Sequence, residues 1–130
     1  MKALLPPGWP RPKGYSNAIS ARGRTIYTAG VVGWDANEHF TSNTLSGQFA
    51  QALENIVAIL AEDGAGPEHL VRLTCYVTSI EAYRASLAEV GAAWKRIIGR
   101  HYPAMALVAV VALVEPQAMV EIEATAVVEE

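Results

Sequence analysis

Two carboxylates, Glu121 and Glu123, stand two residues apart in Val120-Glu121-Ile122-Glu123-Ala124, where apolar and polar residues alternate. A period of two puts both on one face of a strand. A carboxylate held against apolar neighbours can orient water or carry its proton, so Glu121 is the first candidate for general acid–base work. Tyr15 offers a phenolic hydroxyl to a ligand. Met105 and Leu107, on a long apolar segment, offer adaptable greasy walls rather than chemistry. Cys75 is the sole cysteine and falls on the covered side of an alternating stretch, which reads as a structural thiol rather than a nucleophile. His39, His69 and His101 are dispersed without the spacing of metal ligands, so no metal is expected. Neither a glycine-rich phosphate loop nor a nucleophile elbow is present.

These residues must be held by elements that the apolar pattern predicts. Residues 15–21 and 25–32 read as strands joined at Arg22-Gly23-Arg24 into a hairpin, with Trp34 in the polar loop that follows. Phe49, Leu53, Ile56, Val57 and Leu60 form one helical stripe, capped by Asn43, Thr44 or Ser46 and stopped at Gly64. Leu70 to Thr78 alternates as a strand. A second helix carries Tyr83, Leu87, Val90, Trp94 and Ile97, begins at Ser79 and ends at Gly99. Ala104 to Leu113 is almost continuously apolar, as expected of a strand covered on both faces. Ala118 to Val128 closes the chain as a strand. The segment before Tyr15, rich in proline, is expected to be extended and irregular.

The order β-β-α-β-α-β-β predicts an α+β fold, residues 1–130 forming one domain in which two helices cover one face of a mixed sheet. Its other face then needs a cover, and a second copy of the chain supplies the simplest one. Composition agrees: 52% of residues are hydrophobic and only 18% charged, a sparse coat for a small monomer. The net charge of −3 with scattered lysines and arginines excludes a phosphate-tracking basic stripe, so nucleic acid is not an expected partner. The apolar run from Ala104 is too short to span a bilayer, no secretory signal opens the chain, and a lone cysteine fits a reducing compartment, so a cytoplasmic location away from membranes is expected.

Four segments carry a resemblance: Gly14-Tyr15-Ser16-Asn17-Ala18, Thr28-Ala29-Gly30, Pro103-Ala104, and Val120-Glu121-Ile122-Glu123-Ala124-Thr125-Ala126. Together they are similar to the RidA/YjgF (reactive intermediate deaminase) family, over nearly the whole chain. The resemblance implies a chorismate-mutase-like fold and a barrel-like homotrimer with a small-molecule cleft at each subunit interface. It implies hydrolysis of enamines or imines to a carbonyl compound and ammonia, without a cofactor. It marks Glu121 as the residue that positions water and Tyr15 as a pocket residue. Ala29, Gly30 and Val31 fall where the family reads S-G-Q, Gly91 roughly where an asparagine often lies, and Leu107 where many deaminases have cysteine. Met105 occupies the position of the family's carboxylate-binding arginine. Loss of that bidentate contact removes about a few kcal/mol of binding to a small amino-acid-derived imine.

Two functional classes follow. In one, Glu121 and Tyr15 act on an imine other than the 2-aminoacrylate type, with Met105, Leu107, Ala29, Gly30, Val31, Gly91 and Trp34 shaping the site and an anionic group placed elsewhere, near Lys13 or Arg72. In the other, the same cleft binds a metabolite without turning it over.

Overall fold

The computed structural model describes residues 1–130. Its centre is a sheet in which β7 (Val120–Val128) lies between β5 (Leu70–Val77) and β3 (Arg24–Tyr27), with β6 (Ala104–Ala109) at the far edge beside β5. The short β4 (Val31–Val32) continues the line of β3 along β7. β5 and β6 run parallel, and the other pairings in this sheet are antiparallel. A separate ribbon joins β1 (Lys2–Ala3) to β2 (Ile19–Ser20).

One face of the sheet is covered by helices α1 (Leu45–Ala61), α2 (Ile80–Ala85) and α3 (Leu87–Ile97). Of the three caps the sequence offers α1, Thr44 is used, its hydroxyl accepting from Gly47 N at 3.1 Å. The helix then buries the stripe Phe49, Leu53, Ile56 and Leu60, and the chain leaves through Gly64 at φ 71°, a left-handed conformation that suits glycine. Leu73, Cys75 and Val77 of β5 and Val120, Ile122, Ala124 and Ala126 of β7 face these helices and are buried. At 25 cal/mol per Å² of apolar area, burying a side chain of this size contributes about 1.5–3 kcal/mol.

Gln48 is the one buried polar residue. Its Nε2 donates to the carbonyls of Ser42 (3.1 Å) and Gln117 (3.0 Å), and its Oε1 accepts from Met119 N (2.7 Å). The amide thus ties the start of α1 to the entry of β7 with no polar atom left bare.

The structure departs from the sequence reading in several places: the opening segment, expected to be irregular, contributes β1, and the strand expected over 25–32 is broken into β3 and β4. Residues 15–21 do not pair with residues 25–32: β2 pairs with β1, while β3 pairs with β7. Long-range register outweighs the local hairpin signal here, because Ile26 must reach the core beside Ala126. The second helix is two helices. Ser79 caps α2, but at Ser86 the hydroxyl turns back to the carbonyls of Ala82 (2.7 Å) and Tyr83 (3.3 Å), and the backbone leaves helical geometry. β6 ends at Ala109, short of Leu113. Within one chain β6 is also not covered on both faces: Met105 and Leu107 pack on the core, whereas Ala106 and Val108 point outward, Val108 being 46% exposed.

Candidate functional site

A cleft of about 440 Å³ opens along edge strand β6, between the sheet and helix α3. Met105 and Leu107 reach it because they are the inward members of the β6 alternation. Helix α3 contributes Leu87, Gly91 and Lys95, spaced by four and therefore on one stripe. The Gly91 position leaves that wall open, since a Cβ built there would meet nothing within 4 Å.

The remaining walls are aromatic. Trp94 stacks on Tyr102, with ring centroids 6.4 Å apart and planes 10° from parallel. Trp94 Nε1 donates to the His101 carbonyl at 3.1 Å, which fixes the indole. Phe49 and Tyr83 meet at 6.5 Å, and burial pushes the Tyr83 hydroxyl above its usual range, so it stays protonated at neutral pH.

Tyr15 arrives from the chain's opening segment. Gly14, at φ 79°, turns that segment; Ser16 N then donates to the Pro103 carbonyl (3.0 Å) and Ser16 Oγ to the Tyr102 carbonyl (2.5 Å). This docking lays Lys13, Gly14 and Tyr15 along the mouth of the cleft, with Tyr15 43% exposed.

Glu121 lies elsewhere. It is on β7, on the face turned away from the helices, two strands from β6, or about 10 Å of lateral distance. Its side chain packs over Gly30, where a Cβ would fall 2.8 Å from Glu121 Cδ. Val32 is its register partner on β4 and Tyr76 its partner on β5. The Tyr76 hydroxyl donates to Glu123 Oε1 at 2.7 Å; this bond, with some burial and the charges of Glu123 and Glu121, raises the phenol above its usual range.

The residues read from the sequence therefore divide into two groups. Tyr15, Gly91, Met105 and Leu107 line the cleft. Glu121, Ala29, Gly30 and Val31 do not. Trp34 belongs to neither: its ring tilts against Phe40 at 5.7 Å and its carbonyl accepts from Asn55 Nδ2 at 2.7 Å, so it pins its loop to α1. That loop is further set by Asp35, which accepts from the backbone N–H groups of His39 and Asn37 and is held below the usual carboxylate range by those bonds. Arg72 sits exposed on β5 and does not line the cleft.

Lys13, one of the two cations the sequence offered for an anionic group, lines the cleft, whereas Lys95 and the aromatic walls escaped the sequence reading. Tyr83 and Trp94 were expected as plain core, and each has one side on the core and one on the cleft. The four-residue spacing of Leu87, Gly91 and Lys95 is the signal that was available for the α3 wall.

A family model described as endoribonuclease L-PSP matches residues 10–128. The chain is similar to YyfB of Yersinia pestis, a protein of unknown function of the conserved Rid protein family, at 32% identity over 98% of both chains with a TM-score of 0.84. It is similar to Rv2704 of Mycobacterium tuberculosis, of the YjgF/YER057c/UK114 family, at 34% identity over 88% of this chain and 87% of that one, with a TM-score of 0.67. RidA from an Antarctic Psychrobacter shares 27% identity over 98% of this chain and 94% of its own, with a TM-score of 0.70. No curated protein matches the chain in sequence. With its match spanning nearly the whole chain and its α+β fold shared, the protein belongs to the endoribonuclease L-PSP family, that of the RidA and YjgF proteins.

Proposed function

We propose that this chain is a RidA-type hydrolase that assembles as a homotrimer and deaminates an enamine or imine other than the small 2-aminoacrylate type. The observation that carries the reading is the division of the site. Tyr15, Met105 and Leu107 line a cleft at the sheet's edge, while Glu121 lies on the opposite face of the same sheet. One ligand cannot touch both groups within a single chain. A neighbouring copy docked on the uncovered face would bring its Glu121 to the open mouth of the cleft.

The surface suits such docking. Tyr27, Val108, Val111 and Val114 are all exposed large apolar residues, Tyr27 by 77%. Exposed apolar residues at both edges of the sheet support burial against other copies of the chain.

In the assembled site Glu121 holds a water against the C=N carbon and takes its proton as the carbon–oxygen bond forms. The carbinolamine nitrogen gains a proton and leaves as ammonia, and the carbinol oxygen becomes the carbonyl. Tyr15 donates a hydrogen bond that orients the substrate. These steps need water and proton transfer alone. The lone buried Cys75 suits a reducing compartment, which supports a cytoplasmic location.

A second reading, a non-catalytic binding trimer, is favoured by one specific feature: Met105 stands where the family's deaminases carry arginine. One panel separates the two. Imines generated in situ from several amino acids and their amides are supplied, and ammonia release is measured for the wild type and Glu121→Gln. Hydrolysis predicts turnover that falls at least about a hundredfold in the variant. No turnover, with ligand-induced thermal stabilisation, favours the binding trimer.

A further inference from the structure

The charge around the cleft is one-sided. Lys13 and Lys95 are the only charged side chains among the thirteen residues that line it, and nine of the thirteen are hydrophobic. Both lysines are exposed, and neither takes part in any of the ion pairs of the molecule, which engage the N-terminus, Arg24 and His69 instead. Two unpaired ammonium groups at the rim of a cleft lined by no carboxylate favour an anion there.

The body of the cleft sets the other requirement. Half-buried Tyr102 and Tyr83 show ring surface to the cleft, backed by buried Trp94 and Phe49, and Gly91 leaves a gap in the α3 wall between Leu87 and Lys95. A short polar chain would leave these faces wet. A broad, flat apolar group would cover them, and aromatic pairs contribute about 0.5–1.5 kcal/mol beyond area burial.

Resting on the reading that this cleft is the ligand site, we infer that it selects an anion bearing an aromatic group, with the ring against Tyr102 and Tyr83 and the anionic group held by Lys13 and Lys95. The two ammonium groups stand at the exposed rim, whereas Met105 is half-buried on the wall formed by β6. This moves the anion away from Met105 and makes room for a larger substrate. Lys13 comes from the segment docked on Pro103 and Lys95 from α3, so the anion position depends on that docking.

The test uses unreactive probes on the full chain: 3-phenylpropanoate, the uncharged 3-phenylpropanamide, and propanoate, each titrated calorimetrically at low salt. We expect the aromatic carboxylate to bind roughly fivefold to tenfold more tightly than the amide, and propanoate to bind more weakly than both. In the double variant Lys13→Gln/Lys95→Gln the carboxylate should lose this advantage while the amide binds as before. Both lysines are exposed, so the variants keep the fold. Equal binding of carboxylate and amide, an unchanged ratio in the double variant, or no binding of either aromatic probe overturns the inference. If ammonia release is absent but the carboxylate preference is present and lysine-dependent, the anion site stands and only the hydrolytic reading falls. If imines are hydrolysed with no preference for charge, hydrolysis stands and the anion site falls.

Discussion

The Glu121 carboxylate rests on the face of Gly30, so close that a Cβ at residue 30 would lie 2.8 Å from Glu121 Cδ. Gly30 is not in the left-handed region, so alanine is compatible with its backbone, and the flexible end of Glu121 is what must move. Gly30→Ala is therefore expected to reduce ammonia release at least about tenfold while changing stability by no more than about 1 kcal/mol. Steady-state kinetics beside a thermal melt check it; full activity in a folded variant would separate the Glu121 position from catalysis.

Met105 is half-buried on edge strand β6 and lines the cleft. Met105→Arg places a guanidinium where it can meet a small substrate's carboxylate bidentately. Activity on 2-aminoacrylate, generated in situ, should rise by about tenfold or more. Unchanged activity in a folded variant would mean that residue 105 does not face the reacting ligand.

Val108 points outward from β6 and is 46% exposed. Val108→Lys puts a charge into the surface proposed to meet another copy. Sedimentation velocity should show a smaller species than the wild type, and ammonia release should fall in parallel because Glu121 no longer reaches a neighbour's cleft. An unaltered sedimentation coefficient would remove β6 from the interface.

Gln48 makes its three hydrogen bonds in the interior. Gln48→Leu leaves the Met119 N–H and two carbonyls without their partner, and the expected loss is about 2–4 kcal/mol, read as a lower urea midpoint. A midpoint equal to that of the wild type would show that water replaces the amide.

Cys75 is fully buried, and burial pushes its thiol up from 9.0 to about 12. Above pH 9.0 an unfolded chain ionises this thiol while the folded chain keeps it protonated. The unfolded state then binds fewer protons, so stability is lost as pH rises from about 9 toward 12 and is unaffected by this group below that window. Cys75→Ala should show a shallower alkaline loss in urea titrations. In the native wild type a thiol-specific dye at pH 8 should label Cys75 only as fast as the protein opens.

Much of the scaffold was legible in the chain itself. The Phe49–Leu60 stripe, the alternation of Leu73, Cys75 and Val77, and that of Val120, Ile122 and Ala124 each state a period and a buried face, and period and face are local properties. Glycine at residues 64 and 99 marks the two helix exits by the same local logic, both residues adopting positive φ. The type of each candidate residue was legible too: a phenol at Tyr15, a carboxylate at Glu121, a thioether at Met105.

What the sequence left open is partnership across distance. The strand that β3 joins was decided by the fit of Ile26 beside Ala126, not by the nearby turn at Gly23. The docking of Ser16 on Pro103, which brings Lys13 and Tyr15 to the cleft, spans most of the chain and leaves no periodic trace. The lateral distance of Glu121 from Met105 follows from strand order, with β5 between β7 and β6. Local sequence sets which way each side chain points from its own element; only packing of the whole chain sets which elements become neighbours, because that choice minimises exposed apolar area over contacts far apart in sequence.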